Sequence, residues 1–232
     1  MIEFPLRPRV DLCSDWEFVR GKVKRKWLSG RGSGGETIDL PHCWNLDDTY
    51  QFDRKSYVGF GAYRREIRIP KTDSTGTWYL CAGGFYGIGD IWLDGRRLQR
   101  VDGQYLGFEV PLPPNIHRGP HILAARLDNR FHRNVLPGKK DPDFLLYGGL
   151  TGDVWIEQRP WPRLDARSIV IACSKNPDGS ELLEARSFVG DPQGASADAR
   201  LQWTITDQGG TPVAQTEHIP AAAMSEAAVV VD

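Results

Sequence analysis

The sequence predicts an all-β protein built from β-sandwiches, on three observations. Short segments rich in aromatic and β-branched residues, or alternating apolar and charged residues, recur along the chain between turn residues. The 232 residues include 25 glycines and 16 prolines, which favours many turns. No segment of ten or more residues repeats its apolar positions at helical spacing. We therefore do not expect an α/β fold.

Candidate strands follow in order along the first 160 residues. KVKRK (Lys22–Lys26) alternates and is predicted to be an exposed strand edge, where lysine discourages edge pairing. AYRREIRIP (Ala62–Pro70) has period two, with one mainly apolar and one charged face. Asp94-Gly95, between IWL and RRL, predicts a tight β-hairpin. Two later segments alternate in the same way, HILAARLDN and GDVWIEQ.

A domain junction is predicted at QRPWPRLD (Gln158–Asp165), where two prolines flank Trp161. The composition changes there as well. Residues 1–160 carry 24 basic and 20 acidic side chains, whereas residues 161–232 carry 5 and 10. After the junction, further strand candidates follow at intervals of about ten residues, which is typical of β-sandwiches. They are SIVIACS, ELLEARSFV, ARLQWTITD and PVAQTEHI.

Several classes of partner and cofactor find no support in the sequence. The net charge of −1 does not favour nucleic acid or an anionic membrane, and no run approaches eighteen apolar residues. His117 and His121 have zinc-pair spacing, but the intervening Gly-Pro breaks the helix that such a pair needs. GGFYGIGD lacks the nucleotide-binding glycine pattern, so its glycines are predicted to allow close approach of strands. We expect no metal and no cofactor.

The cysteines and the N-terminus bear on the cellular compartment. No CxxC pair occurs, and Cys81 and Cys173 lie in apolar runs, so buried thiols are predicted for both. The first residues carry no signal-peptide pattern. If Met1 is the native start, we expect a cytoplasmic protein.

Carboxylates cluster in two loops, with Asp47, Asp48 and Asp53 in one and Asp141 and Asp143 in the other. A carboxylate pair can hydrolyse a glycosidic bond if it is held at the right separation, but solvated turn residues are the simpler interpretation. The second loop opens KKDPDFLLYGGLTGDVW, where an acid stands among aromatics and glycines directly before a strand. This combination suits a sugar, because carboxylates accept hydroxyl hydrogen bonds and rings cover C–H faces.

Seven motifs cover roughly residues 11 to 157. In chain order they are LCSDWEF, LPHCWN, YVGFGAYRREIRIP, DIWLDGRRL, DGQYLGFEVPL, ILAARLDNR and DFLLYGGLTGDVWIE. In this order they resemble the N-terminal region of glycoside hydrolase family 2, the β-galactosidase, β-glucuronidase and β-mannosidase group. LPHCWN is very close to the family's (L/V)PH-x-WN.

The resemblance implies a jelly-roll sugar-binding domain over residues 1–160 and part of an immunoglobulin-like β-sandwich over residues 161–232. The second domain is expected to be incomplete, because about five strand candidates follow residue 163 where about seven are needed. In the family a third domain, a TIM barrel, holds both catalytic glutamates. The acid/base glutamate follows an asparagine there, and this chain contains no Asn-Glu dipeptide. We therefore expect no catalytic residue within these 232 residues.

One substrate-binding residue carries over from the resemblance. In family β-galactosidases and β-glucuronidases, an aspartate before the G(I/L) turn reaches the barrel's active site and binds a hydroxyl of the terminal sugar. Asp143, six residues before Gly149, matches it. The resemblance thus implies a retaining β-glycosidase acting on a terminal β-linked sugar, with this chain as its non-catalytic N-terminal part. Gly152 and Ala62 depart from the family's usual arginine and aromatic residue, which bears on the subfamily.

Two other functions stay open at this point. A free-standing carbohydrate-binding module predicts sugar affinity for this chain alone. A structural sandwich that mediates assembly is consistent with the homo-oligomers that family members often form.

Overall fold

The computed structural model describes residues 8–50, 56–71, 76–138, 144–160, 163–164, 168–177, 179–190, 200–216, 219–220 and 224–231. The chain divides into two compact units. The first comprises Met1–Asp73 and Thr77–Gln158, and the second comprises Ser74–Gly76 and Arg159–Asp232. Strands dominate both units, so the all-β prediction is confirmed.

The first unit contains the strands β1–β12, one short α-helix and one 3₁₀ helix. In chain order they are β1 (Arg9–Asp11), β2 (Trp16–Arg20), α1 (Arg25–Leu28), β3 (Glu36–Ile38), β4 (His42–Cys43), the 3₁₀ helix (Asp47–Tyr50), β5 (Phe60–Ile69), β6 (Thr77–Ala82), β7 (Phe85–Leu93), β8 (Arg96–Gln104), β9 (Phe108–Pro111), β10 (Gly119–Asp128), β11 (Gly149–Leu150) and β12 (Val154–Arg159).

These strands form two sheets that enclose one core. The larger has the order β3-β2-β5-β10-β7-β11-β4, with β8 also paired to β7, and the smaller has the order β1-β12-β6-β9. Apolar side chains of both sheets belong to a single buried cluster, among them Tyr63, Ile91 and Leu127 from the larger sheet and Leu80 and Ile156 from the smaller. Because each sheet buries one face against the other, the unit is a β-sandwich.

The predicted hairpin is present between β7 and β8. Asp94 and Gly95 form its turn, with φ angles of 50° and 75°. Positive φ at both positions matches the right-handed twist of the flanking strands. The glycines of GGFYGIGD also behave as predicted at Gly87 and Gly89, where a Cβ would overlap the backbone of Asp128 and the side chain of Leu127.

The prediction of a strand edge at KVKRK is wrong. Arg25 and Lys26 form the first half of α1. Trp27 and Leu28 complete this short helix and are buried. The Arg64 guanidinium lies 4.4 Å from the Trp27 ring centroid and donates a 2.9 Å hydrogen bond from Nη1 to the Trp27 carbonyl. Trp27 and Leu28 also pack against Ala62 and Ala124. This burial favours the helix over an exposed strand edge.

The second unit consists of the strands β13–β20. They are β13 (Arg163–Leu164), β14 (Val170–Lys175), β15 (Glu181–Gly190), β16 (Arg200–Leu201), β17 (Thr204–Thr206), β18 (Pro212–Gln215), β19 (Ile219–Pro220) and β20 (Met224–Val231). One sheet has the order β13-β15-β14 with β20 also on β15, and two further pairs are β16-β19 and β17-β18.

Cys173, predicted to be buried, is exposed, whereas Cys81 is buried as predicted. Every residue of β14 is exposed, including Val170 and Ile171. An apolar run indicates burial only where another layer covers the strand, and within the described residues none covers β14.

Close packing around Trp44 makes a test of the first unit's core. Replacing Gly61 with alanine would place a Cβ on the Trp44 ring and 3.1 Å from Phe18. Because both rings are buried and cannot move freely, we expect Gly61→Ala to lower the free energy of unfolding by about 1–3 kcal/mol. Urea denaturation measures the change.

Gly83→Ala is the matched control, because its Cβ would make only ordinary contacts of 3.5 Å or more and Gly83 is exposed. Equal stability of the two variants would contradict the packing described for Trp44.

Candidate functional site

The candidate sugar-binding residue, Asp143, lies outside the described residues, which resume at Phe144. The same holds for Asp141 and for Asp53 of the other acidic loop. We call the segment that follows Asp143 directly, residues 144–150, the anchor segment. Its contacts fix the chain immediately after the undescribed residues.

The Asn45 side chain joins the anchor segment to the end of β4. Asn45 is almost fully buried. Its Nδ2 donates to the Leu146 carbonyl at 2.9 Å and to Ser56 Oγ at 3.0 Å, and its Oδ1 accepts the Gly148 N–H at 2.9 Å. The neighbouring Trp44 N–H donates to the Gly148 carbonyl at 3.0 Å. Residues 44–45 thus hold the anchor segment as a strand partner would.

A second buried amide, that of Asn129 after β10, binds the same carbonyl. Asn129 Nδ2 donates to the Leu146 oxygen at 3.1 Å, and its Oδ1 accepts the Gly59 N–H at 2.8 Å. The Leu146 side chain packs with Tyr86 and Val135 in a small buried cluster. Both lone pairs of the Leu146 carbonyl are therefore used. The two amides and the cluster around Tyr86 thus fix the anchor segment from three other parts of the chain.

Two tyrosines fix the next residue. Tyr105 Oη accepts the Tyr147 N–H at 2.8 Å, and the Tyr105 ring lies 5.1 Å from that of Tyr86. Burial raises the pKa of both Tyr105 and Tyr86, so both hydroxyls stay protonated at neutral pH. The Tyr86 hydroxyl donates to the Leu136 carbonyl at 2.9 Å.

Large apolar side chains next to these tyrosines remain exposed. Leu106 is 72% exposed, Leu136 is 68% exposed and Phe144 is 59% exposed. Leu145 is 40% exposed. Patches of this kind mark surfaces that another part of a protein covers, or that bind a ligand.

A hydrogen-bonded chain beneath the anchor segment connects β4, β5 and β11. The Leu150 N–H bonds to the fully buried Tyr63 hydroxyl, which lies 2.9 Å from Nδ1 of His42. Burial lowers the pKa of His42; Glu36 opposes this shift and Arg20 adds to it. His42 is thus neutral near pH 7, and its Nδ1 accepts a hydrogen bond from the Tyr63 hydroxyl.

Of the first acidic loop, Asp48 has a structural role. Its Oδ2 accepts the Tyr57 N–H at 2.8 Å, and Oδ1 lies 3.7 Å from Arg20 Nη1. Asp47 begins the 3₁₀ helix. Within the described residues, these two carboxylates face no third acid in a catalytic arrangement, which agrees with turn-forming roles.

No family model matches the chain. The chain is similar to curated relatives. It is 26% identical, over 166 residues and 72% of its length, to a Formosa agariphila protein that carries the provisional name β-glucuronidase. It is 27% identical over 160 residues, 62% of this chain, to the β-glucuronidase of Felis catus. It spans 20% and 24% of the length of these two relatives.

Solved structures show the same fold. The β-glucuronidase of Parabacteroides merdae matches 95% of this chain and 30% of its own, with a TM-score of 0.77 and 19% identity. Bacteroides uniformis β-glucuronidase 2 matches 98% of this chain and 28% of its own, with a TM-score of 0.75 and 21% identity. The resemblance to the N-terminal region of glycoside hydrolase family 2 is confirmed.

The family 2 motifs correspond to the residues that make the clamp on the anchor segment. LPHCWN supplies His42, Trp44 and Asn45, and ILAARLDNR supplies Asn129. The motifs contain these residues but do not reveal their joint role. An asparagine that follows a strand segment is the signal in the sequence, and only the folded chain shows that both amides are buried and reach one carbonyl.

Asn45→Ala tests the clamp. The change leaves the Gly148 N–H and part of the Leu146 carbonyl without buried partners, so we expect a loss of about 2–4 kcal/mol of unfolding free energy. Urea denaturation measures the loss, and faster amide exchange at Gly148 locates it in the anchor segment.

The control is Asn115→Ala, which removes an exposed asparagine amide. If both variants were equally stable, the clamp would not be a main support of this segment.

His42 predicts a pH dependence of stability. Its folded-state pKa lies below the ordinary value of 6.5, so on acidification the unfolded chain takes up the proton first. Stability should fall as the pH decreases through about 6.5 and level off below the folded pKa. His42→Gln keeps an acceptor for Tyr63 and should flatten this slope between about pH 7.5 and 5.5 in urea denaturation.

His117→Gln removes an exposed histidine and is the control. An unchanged slope in His42→Gln would refute the assignment to His42.

Proposed function

We propose that this chain is the N-terminal, non-catalytic part of a family 2 β-glycosidase and that Asp143 binds the substrate. The first unit is then the jelly-roll sugar-binding domain, residues 1–160. The second is part of the immunoglobulin-like domain, residues 161–232. A TIM barrel elsewhere in the parent protein supplies both catalytic glutamates.

The observation that carries this proposal is the double amide clamp on the Leu146 carbonyl. It fixes the chain three residues after Asp143 with buried hydrogen bonds from Asn45 and Asn129. A substrate-binding carboxylate needs such support, because misplacement by an ångström weakens binding and catalysis severely. A simple surface turn needs no buried clamp.

The exposed apolar side chains around the anchor segment support the same proposal. Leu106, Leu136 and Phe144 lie in the segments that the two tyrosines and the clamp tie together. Burying them against a further domain would release water from apolar surface and hold Asp143 at the domain boundary. The names of the relatives, β-glucuronidase and β-galactosidase, support a terminal β-linked sugar as substrate.

In the parent protein the division of labour would follow the retaining mechanism. One barrel glutamate attacks the anomeric carbon, while the other protonates the leaving oxygen and then activates water. Asp143 accepts a hydrogen bond from a hydroxyl of the terminal sugar and takes no part in bond cleavage. It acts by orientation, which places the anomeric carbon in line with the nucleophile.

Asp143→Asn in the full-length parent protein tests this role. We expect kcat/KM for an aryl β-glycoside to fall about 10- to 100-fold, because a charged hydrogen bond to the sugar is lost. The 232-residue chain alone should show no hydrolysis. Steady-state kinetics on both proteins provide the measurement.

Asp141→Asn is the matched control, two residues away in the same loop. Equal kinetics for Asp143→Asn and Asp141→Asn would remove the proposed role of Asp143. Hydrolysis by the 232-residue chain would overturn its description as non-catalytic. Binding of a neutral β-galactoside by the 232-residue chain alone, weakened by Asp143→Ala, would favour a free-standing binding module.

A further inference from the structure

A second site of mixed charge lies on the outer face of the larger sheet. A cavity of about 220 Å³ is lined by Phe60, Arg100, Arg126, Asp90, Asp128 and His132, together with Arg130 and Ile88. We call it the charged pocket. It lies across β5, β10, β7 and β8 and contains none of the residues assigned to sugar binding above.

The strand register explains why these charges gather. Arg126 on β10 stands opposite Asp90 on β7, which in turn stands opposite Arg100 on β8. The residues adjoining them along the strands, such as Leu127 and Ile91, point into the core. Because side chains alternate along a strand, the charged residues all project from the outer face.

The pocket carries more positive than negative charge. Asp90 pairs with Arg126 at 2.6 Å and with Arg97 at 3.3 Å. Asp128 pairs with Arg130, whose Nε and Nη2 both donate to it. Arg100, also in the pocket wall, has no ion pair within the described part of the chain.

The Phe60 ring adds to the positive surface. The Arg130 guanidinium lies 4.5 Å from its centroid, Arg126 lies 5.9 Å away and Lys22 Nζ lies 5.3 Å away. Three cationic side chains at one half-buried ring create a positive potential, which attracts an anionic ligand. The exposed part of the ring offers an apolar surface to the same ligand.

Two buried polar atoms of the pocket lack hydrogen bonds within the described residues. They are Oδ1 of Asp90 and Nε2 of His132. Each lies at ion-pair distance from an oppositely charged or chargeable group, Arg97 at 3.3 Å and Asp128 at 3.4 Å, without hydrogen-bond geometry. Buried polar groups normally have hydrogen-bond partners, so these two atoms mark the pocket wall as incompletely satisfied by the described residues.

We propose that the charged pocket binds one anionic sugar unit, a monosaccharide ring that carries a carboxylate or a sulfate ester. Arg100 and Arg126 bind the acidic group, Asp90 and His132 hydrogen-bond hydroxyls, and Phe60 covers a C–H face. Sites for drug-sized ligands have volumes of about 300–1,000 Å³. The pocket volume of about 220 Å³ is smaller and suits a single sugar ring. The choice of a sugar over other hydroxylated anions rests on the proposed function.

Binding to the 232-residue chain tests the proposal. Four probes are titrated by ¹⁵N NMR: methyl β-glucuronide, glucose 6-sulfate, methyl β-glucoside and inorganic sulfate. We expect saturable binding of one or both acidic sugars, with shifts at Arg126 and His132, and much weaker binding of the neutral glucoside. Which acidic sugar binds more tightly distinguishes a carboxylate from a sulfate ester as the natural ligand group.

Arg100→Gln should weaken binding about tenfold, because it removes a guanidinium from the ligand. This variant breaks no ion pair among the described residues, so the fold should persist. Arg96→Gln, an exposed arginine on the same strand, should bind as the parent chain does.

The proposal is overturned if no acidic sugar binds in the millimolar range, if both arginine variants bind alike, or if inorganic sulfate binds as tightly as the sugars. These outcomes are independent of the Asp143 test, which measures hydrolysis by the full-length protein. Loss of one proposal would therefore leave the other to be judged by its own experiment.

Discussion

The carbonyl oxygen of Leu146 is the point on which the candidate site depends. A buried carbonyl must be hydrogen-bonded, and this one accepts from two asparagine amides at 2.9 Å and 3.1 Å. The two asparagines are 84 positions apart in sequence. The side-chain oxygen of Asn129 accepts the Gly59 N–H and so joins a second backbone segment, whereas that of Asn45 accepts the Gly148 N–H within the anchor segment itself. The chain just before β11 is thus held by side chains from two distant parts of the sequence.

The core beneath the clamp imposes the complementary steric constraint. The Trp44 ring packs where both Gly61 and Gly148 lack a side chain, and it stacks on Phe18 with centroids 6.1 Å apart. The backbone of Trp44 simultaneously bonds to Gly148. One residue therefore sets both the packing of the core and the position of the anchor segment, so changes in the core should reach the site. This coupling explains why aromatic and glycine positions of separate motifs belong to one structural unit.

The two faces of the larger sheet serve different purposes. Its inner face is apolar and shares the core with the smaller sheet, while its outer face carries a row of cross-strand ion pairs. The carboxylates of these pairs are largely buried, with Asp90 14% and Asp128 8% exposed, whereas their arginine partners reach toward solvent. The clamp and the charged pocket meet in sequence at Asp128 and Asn129, the last residue of β10 and the residue that follows it. A single strand end thus supports both candidate sites.

The local sequence pattern predicted several of the longer strands. Period-two alternation predicted β5 and β10, and the Asp94-Gly95 pair predicted the turn between β7 and β8, because both signals depend on neighbours in sequence. The two errors arose where distant residues decide the outcome. Residues 25–28 form a helix because Trp27 packs on residues of β5 and β10. Cys173 is exposed because no layer among the described residues covers β14. The local sequence shows neither the packing at Trp27 nor the open face of β14.

By itself, the sequence determined the all-β class, the order of the family 2 motifs and the nomination of Asp143. The all-β class follows from local periodicity and turn residues, whereas Asp143 was nominated through the resemblance to family 2. Only the tertiary structure decided that Asn45 and Asn129 share the Leu146 carbonyl, and that Asp90, Arg100 and Arg126 form one row. The physical reason is that strand register and side-chain hydrogen bonds join residues tens of positions apart. Their partners are chosen by burial and pairing in the folded chain.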